Sequence, residues 1–193
     1  MREPVPDAHL PADVYLADEV RSPARREYVG GFAYAMAGAS NVHNRIATDI
    51  LVALGSRLRG GPCRPFNSDT KVRIRRESSP VRFYYPDGMV TCRPNPADDT
   101  FQDAPVVVVE VLSPETRRID EIEKCDAYTG IPSLAVYAMV ETDSARIVVL
   151  RRTPQGFVRE VHEGREATIA LPEIGCELPL AEVYDGVTFA TQD

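Results

Sequence analysis

No apolar run approaches the ~20 residues that a membrane helix needs, so no membrane partner is expected. The opening stretch, MREPVPDAHLPADVYLADEV, lacks the apolar core of a secretory signal, which makes a cytoplasmic location the expectation. The cysteines at 63, 92, 125 and 176 form no CxxC pair, and no histidine cluster accompanies them. That argues against a zinc site. Without an export signal they are expected to be reduced thiols, mostly small core residues. Basic residues are in deficit, 22 against 29 acidic, for a formal charge of -7. A globally basic surface that coats nucleic acid is excluded, although a local basic groove is not. Gly60-Gly61 lacks the lysine and spacing of a phosphate-binding loop, and Ser113 lacks a glycine elbow. There is no internal repeat, low-complexity segment or linker, and 193 residues fit one domain.

What is present centres on residues 105–114, PVVVVEVLSP. The β-branched run reads as a strand covered on both faces. Alternation puts Glu110 on one face with Val106, Val108 and Leu112. A carboxylate there costs several kcal/mol unless a cation or good donors compensate it. An arginine or backbone donors at the strand end are the structural answer; a metal ion or a lysine is the functional one.

Residues 1–10 are proline-rich and expected to be loose, with a short helix from Leu10 to Glu19. Residues 25–38 read as a hairpin turning at Gly30-Gly31. The clearest helix spans 41–59, capped by Ser40 or Asn41, with Ile46, Ile50, Leu51, Leu54 and Leu58 on one stripe. His43, near its start, reads as a solvated or capping residue because no second histidine lies nearby. In residues 63–76, Lys71, Arg73 and Arg75 alternate with Val72 and Ile74. This is expected to be the solvated face of an outer strand, with a phosphate-contacting ridge as the functional alternative.

Asp87 follows Pro86, where a strand begins after a bend. The tripeptide alone reads as a turn. The polar connection 93–104 is long enough to let the Asp87 and Glu110 strands pair antiparallel. A helix over 118–129 then carries Lys124 four residues after Asp120, a favourable ion-pair order, with Tyr128 one turn on. Strands are expected over 134–140, 145–151, 156–162 and 167–171, and a helical turn over 180–184. Two carboxylates on adjacent strands suit a hard divalent cation, and a nearby lysine can position water or offset developing charge.

The segments REYVGGFAYAMAGAS with HNRIA, SDTKVRI, YYPDGMVTC, VVVVEVLSPET, and EKCDAY with GIPSL carry a resemblance from about Tyr15 to Val187. In order and spacing the chain resembles the Uma2 (DUF820) family of restriction-endonuclease-like proteins, part of the PD-(D/E)XK nuclease superfamily. The resemblance implies an α/β fold, a mixed central β-sheet flanked by helices, and one nuclease-like domain over 1–193. It implies a catalytic set of Asp87, matching the aspartate of the PD motif, Glu110, matching its acidic partner, and Lys124. Leu112 stands where the motif places lysine, and Lys124 on the following helix takes that role. The metal ligands implied are Asp87, Glu110 and Glu27, an acid of the early matching segment. Asp69 also matches and is expected to make a structural hydrogen bond. The implied activity is a Mg2+-dependent (or Mn2+-dependent) DNA endonuclease, acting as a homodimer on two strands. The alternatives are a non-catalytic nucleic-acid-binding or interaction protein on a retained scaffold, and a metal-free hydrolase using paired acids.

Overall fold

The structure is a computed structural model that describes residues 9–36, 38–77 and 79–189. Residues 1–8 of the stretch expected to be loose lie outside the described residues. Leu10, at its end, is tied: its N–H donates to the Gly31 carbonyl at 2.8 Å, and its carbonyl accepts from Tyr28 Oη at 2.7 Å. Helix α1 (Ala12–Glu19) leads into the hairpin of β1 (Arg26–Val29) and β2 (Phe32–Ala35). Its turn needs two left-handed residues, which Gly30 at φ 61° and Gly31 at φ 92° supply.

Helix α2 (Asn41–Arg57) forms as its periodicity predicts. Ser40 Oγ caps it, accepting from His43 N at 3.3 Å. Strands β3 (Arg64–Asn67), β4 (Lys71–Arg76), β5 (Ser79–Tyr84), β6 (Gly88–Thr91), β7 (Phe101–Gln102) and β8 (Pro105–Val111) follow. The helix expected over 118–129 forms in two parts, a π-helical stretch at Ile119–Lys124 and α3 at Cys125–Thr129. The remainder is β9 (Val136–Val140), β10 (Arg146–Thr153), β11 (Gly156–Glu163), β12 (Thr168–Leu171), β13 (Cys176–Pro179) and α4 (Leu180–Val183).

A six-stranded sheet runs β11-β10-β9-β8-β6-β3 and is mixed, parallel only between β8 and β9. The π stretch and α3 form the crossover that a parallel pair requires. One face of this sheet, with Val107, Val109, Val111, Ala138 and Ile147, packs on Ile46, Ile50 and Leu54 of α2 and on β12, β13 and α4. The other face, with Val108, Leu112, Tyr137 and Met139, packs on α3 and on Val72, Ile74 and Tyr84 of a second sheet, β2-β1-β5-β4-β7. Covering both faces explains why β8 reads as a continuous apolar run. Helix α2 lies directly over Gly88, where a Cβ would stand 3.4 Å from Leu51 Cδ2, at contact distance.

Two expectations are corrected. Cys63 and Cys92 are not reduced thiols but form a disulfide. They flank β3 and β6, whose pairing of Arg64 with Thr91 makes them the next cross-strand neighbours. Cys125 and Cys176 remain free. The basic face of β4 is not an outer, solvated one either: Arg75 is exposed, but β4 lies inside its sheet between β5 and β7, and the other two cations are engaged. Lys71 is buried and donates to Tyr85 Oη at 3.2 Å. Arg73 makes a bidentate pair with Asp103, both contacts at 2.6 Å. Among the described residues, no helix is long and apolar enough to cross a membrane.

Candidate active site

Strands β6 and β8 pair antiparallel with Gly88 opposite Val109, so the next step along the ladder sets Asp87 beside Glu110. Both carboxylates line one cavity of about 390 Å³, together with His43, Asp120 and Lys124. Arg25, Ser68 and Ser113 also line it. The polar connection after β6 therefore does what its length allowed.

Each carboxylate is fixed through one oxygen. Asp87 Oδ2 accepts from the Val111 backbone N–H at 2.7 Å and lies 3.3 Å from His43 Nε2. Glu110 Oε1 accepts from Lys124 Nζ at 2.9 Å and from Tyr128 Oη at 3.0 Å. Asp87 Oδ1 and Glu110 Oε2 receive no hydrogen bond from the described residues. Lys124 Nζ also stands 3.2 Å from Glu27 Oε1 and 3.2 Å from Asp120 Oδ1. Glu27 arrives from β1 in the second sheet, and its Oε1 accepts from the Tyr85 backbone N–H at 3.3 Å.

Negative charge is in excess here. Burial raises Glu110 well above the usual carboxylate range; Lys124 opposes the shift, while Asp120, Asp87 and Glu27 add to it. Burial disfavours the Lys124 ammonium, but Glu110, Glu27 and Asp120 outweigh it and hold its pKa well above the ordinary value. Asp120 is raised, again first by burial. For His43, burial works against the charged ring, and the Asp87 hydrogen bond and charge overcome it, leaving the pKa raised.

Lys124 is thus in direct contact with Glu110 and Glu27, and Asp87 shares the cavity with Glu110 and Lys124. Asp69 makes an exposed ion pair with Arg25 at 3.2 Å. Sequence reasoning missed two members. His43 is 9% exposed rather than solvated. The signal was available: residues 43, 46, 50 and 54 continue one helical stripe. Asp120 read only as half of a helix ion pair with Lys124, and it is buried at 2% exposure. The stretch from 119 to 124 is π-helical, with the Cys125 N–H reaching back to the Asp120 carbonyl. Irregular helical turns of this kind frequently mark functional sites.

Among the described residues, no three His, Cys, Asp or Glu side chains are already gathered as a metal centre. Three of the carboxylates are instead drawn around the ammonium, and Asp87 is held by His43.

Comparison with known proteins agrees with this architecture. The Uma2 family model, described as "Putative restriction endonuclease", matches residues 9–181. An uncharacterized protein of Synechocystis sp., slr1290, is 31% identical over 185 residues, 95% of this chain and 96% of the relative. A second from the same organism, sll1609, is 29% identical over 141 residues, 72% of this chain and 78% of its own. A crystal structure from Anabaena variabilis, of "a putative nuclease belonging to DUF820", superposes with a TM-score of 0.67 at 17% identity. That match covers 90% of this chain and 98% of the other, and at such identity it shows a shared fold.

Proposed function

The chain belongs to the Uma2 family, and on that premise we propose that it is a magnesium-dependent endonuclease that hydrolyses phosphodiester bonds of DNA. The observation that carries the proposal is the cavity where Asp87 and Glu110 meet from adjacent strands with the Lys124 ammonium 2.9 Å from Glu110. The donor set fits a hard cation: its ligands are oxygens, and each strand carboxylate has one oxygen fixed and one without a donor. Magnesium is usually held by one or two carboxylates plus waters and substrate phosphate, so a ready-made cage is not required. Manganese suits the same oxygens. Asp87 and Glu110 would hold the cation in this reading, with Glu27 as the third carboxylate. Bound there, the cation would supply Lewis acidity to a phosphoryl oxygen and lower the pKa of a water.

The chain's own groups do the rest. The Val111 N–H and His43 fix the orientation of Asp87, and Tyr128 fixes that of Glu110. Lys124 offers an ammonium against charge that develops on the phosphate. Its place on the helical crossover answers the absence of the motif lysine, because only the position of the charge matters. A homodimer, with one site for each strand, follows from the resemblance.

Purified protein should nick supercoiled DNA with magnesium, and Asp87→Ala should lose at least about 100-fold of that rate. Equal inertness of both proteins across DNA substrates and divalent cations would end the proposal. One observation favours a second reading: Leu112, at the motif lysine position, is 1% exposed in the core. A binding-only scaffold is expected to show no cation uptake that depends on Glu110, which calorimetry on Glu110→Gln decides.

A further inference from the structure

The chain carries 20 arginines and only two lysines. Surface charge is thus left to arginine, and both lysines are buried, Lys71 at 4% and Lys124 at 5% exposure. Lys124 is contested by three carboxylates within 3.2 Å of its nitrogen. If Glu110 and Glu27 turn toward a divalent cation, their hold on the ammonium weakens. Asp120 is the contact that remains.

Three features fit Asp120 to that task. It lies four residues before Lys124 on the same π-helical stretch, so the two travel together, whereas Glu27 and Glu110 belong to two different sheets. Its Oδ1 is buried and has no hydrogen-bond donor, although the ammonium stands 3.2 Å away. That contact is therefore one of charge without hydrogen-bond alignment, and the oxygen has unused capacity to take Lys124 more directly. Its own backbone is anchored on both sides: the N–H donates to the Thr116 carbonyl at 3.0 Å, and the carbonyl accepts from Tyr137 Oη at 3.0 Å.

We propose that Asp120 is the positioning residue for Lys124, keeping the ammonium at the cavity once Glu110 is engaged by a cation. The inference rests on the nuclease reading for its meaning, but its contact can be tested without activity. With two lysines, protein labelled with nitrogen-15 at lysine Nζ gives two side-chain signals, assigned by Lys71→Arg and Lys124→Arg. Glu27→Gln with Glu110→Gln removes both charges that a cation would engage, without any metal present. In that background the Lys124 signal should stay protected from solvent exchange while Asp120 is intact. Adding Asp120→Asn should abolish the protection, with the Lys71 signal unchanged as the control for folding. An unchanged Lys124 signal in the resulting triple variant overturns the proposal.

The activity arm separates the two readings. Asp120→Asn alone should lower kcat about 100-fold, the scale of a misplaced catalytic group, with KM and magnesium affinity within about twofold of wild type. Loss of magnesium affinity as large as in Glu110→Gln would make Asp120 a ligand and overturn the positioning role. A wild-type protein inert on DNA defeats the nuclease reading, while the lysine signals still decide whether Asp120 holds Lys124.

Discussion

His43 and Asp87 show how a single contact sets a measurable pH response. The His43 pKa is raised in the folded protein. Its stabilising contribution is therefore full below the unfolded value of about 6.5 and is lost as pH rises through the folded value. Urea unfolding of wild type and His43→Gln should differ most below about pH 6.5 and converge above the folded pKa. A gap that widens toward alkaline pH would mean that Asp87 does not hold the ring. At this scale the strand acids and Lys124 were singled out in the sequence, and the places of His43 and Asp120 were not. Glu110 announced itself as a charge inside an apolar run, whereas Asp87 read as a turn residue on its own and entered through the resemblance. Asp120 was hidden because an Asp-Lys pair at four residues looks the same on a solvated helix as in a buried cavity.

Among the elements, the hairpin at Gly30-Gly31, helix α2 and the β6–β8 pair followed from turn chemistry and periodicity. The π-helical stretch did not, since no residue at 119–124 encodes the wider turn by itself. It is fixed by what surrounds it, including Tyr137 Oη on the Asp120 carbonyl. Strand β13 was missed because CELP has no β-branched residue and ends in proline; its pairing with β12 creates it. The Cys63–Cys92 link depends on the register of β3 with β6, which spacing in the sequence does not give. The bond joins residues separated by 29 positions. Its removal by Cys63→Ser with Cys92→Ser should cost about 2–4 kcal/mol in urea unfolding. Leu54→Ala, which empties part of the α2 stripe against the central sheet, should cost about 2–5 kcal/mol in the same assay. A near-zero effect would contradict the packing described for that helix.

For the whole molecule, sandwiching the mixed sheet between α2 on one face and α3 with the second sheet on the other brings the carboxylates of Asp87, Glu110 and Asp120 and the Lys124 ammonium to one cavity, with Glu27 against the ammonium. The charge excess there agrees in sign with the acidic chain, and a divalent cation is what would offset it when a polyanion approaches. Sedimentation of the proposed homodimer should report about twice the 21.3 kDa chain mass. The most direct test of the central claim is a crystal structure grown with manganese, read by anomalous scattering. One ion bound by carboxylate oxygens of Asp87 and Glu110 is the predicted result. An empty cavity, or an ion ligated without either residue, contradicts it.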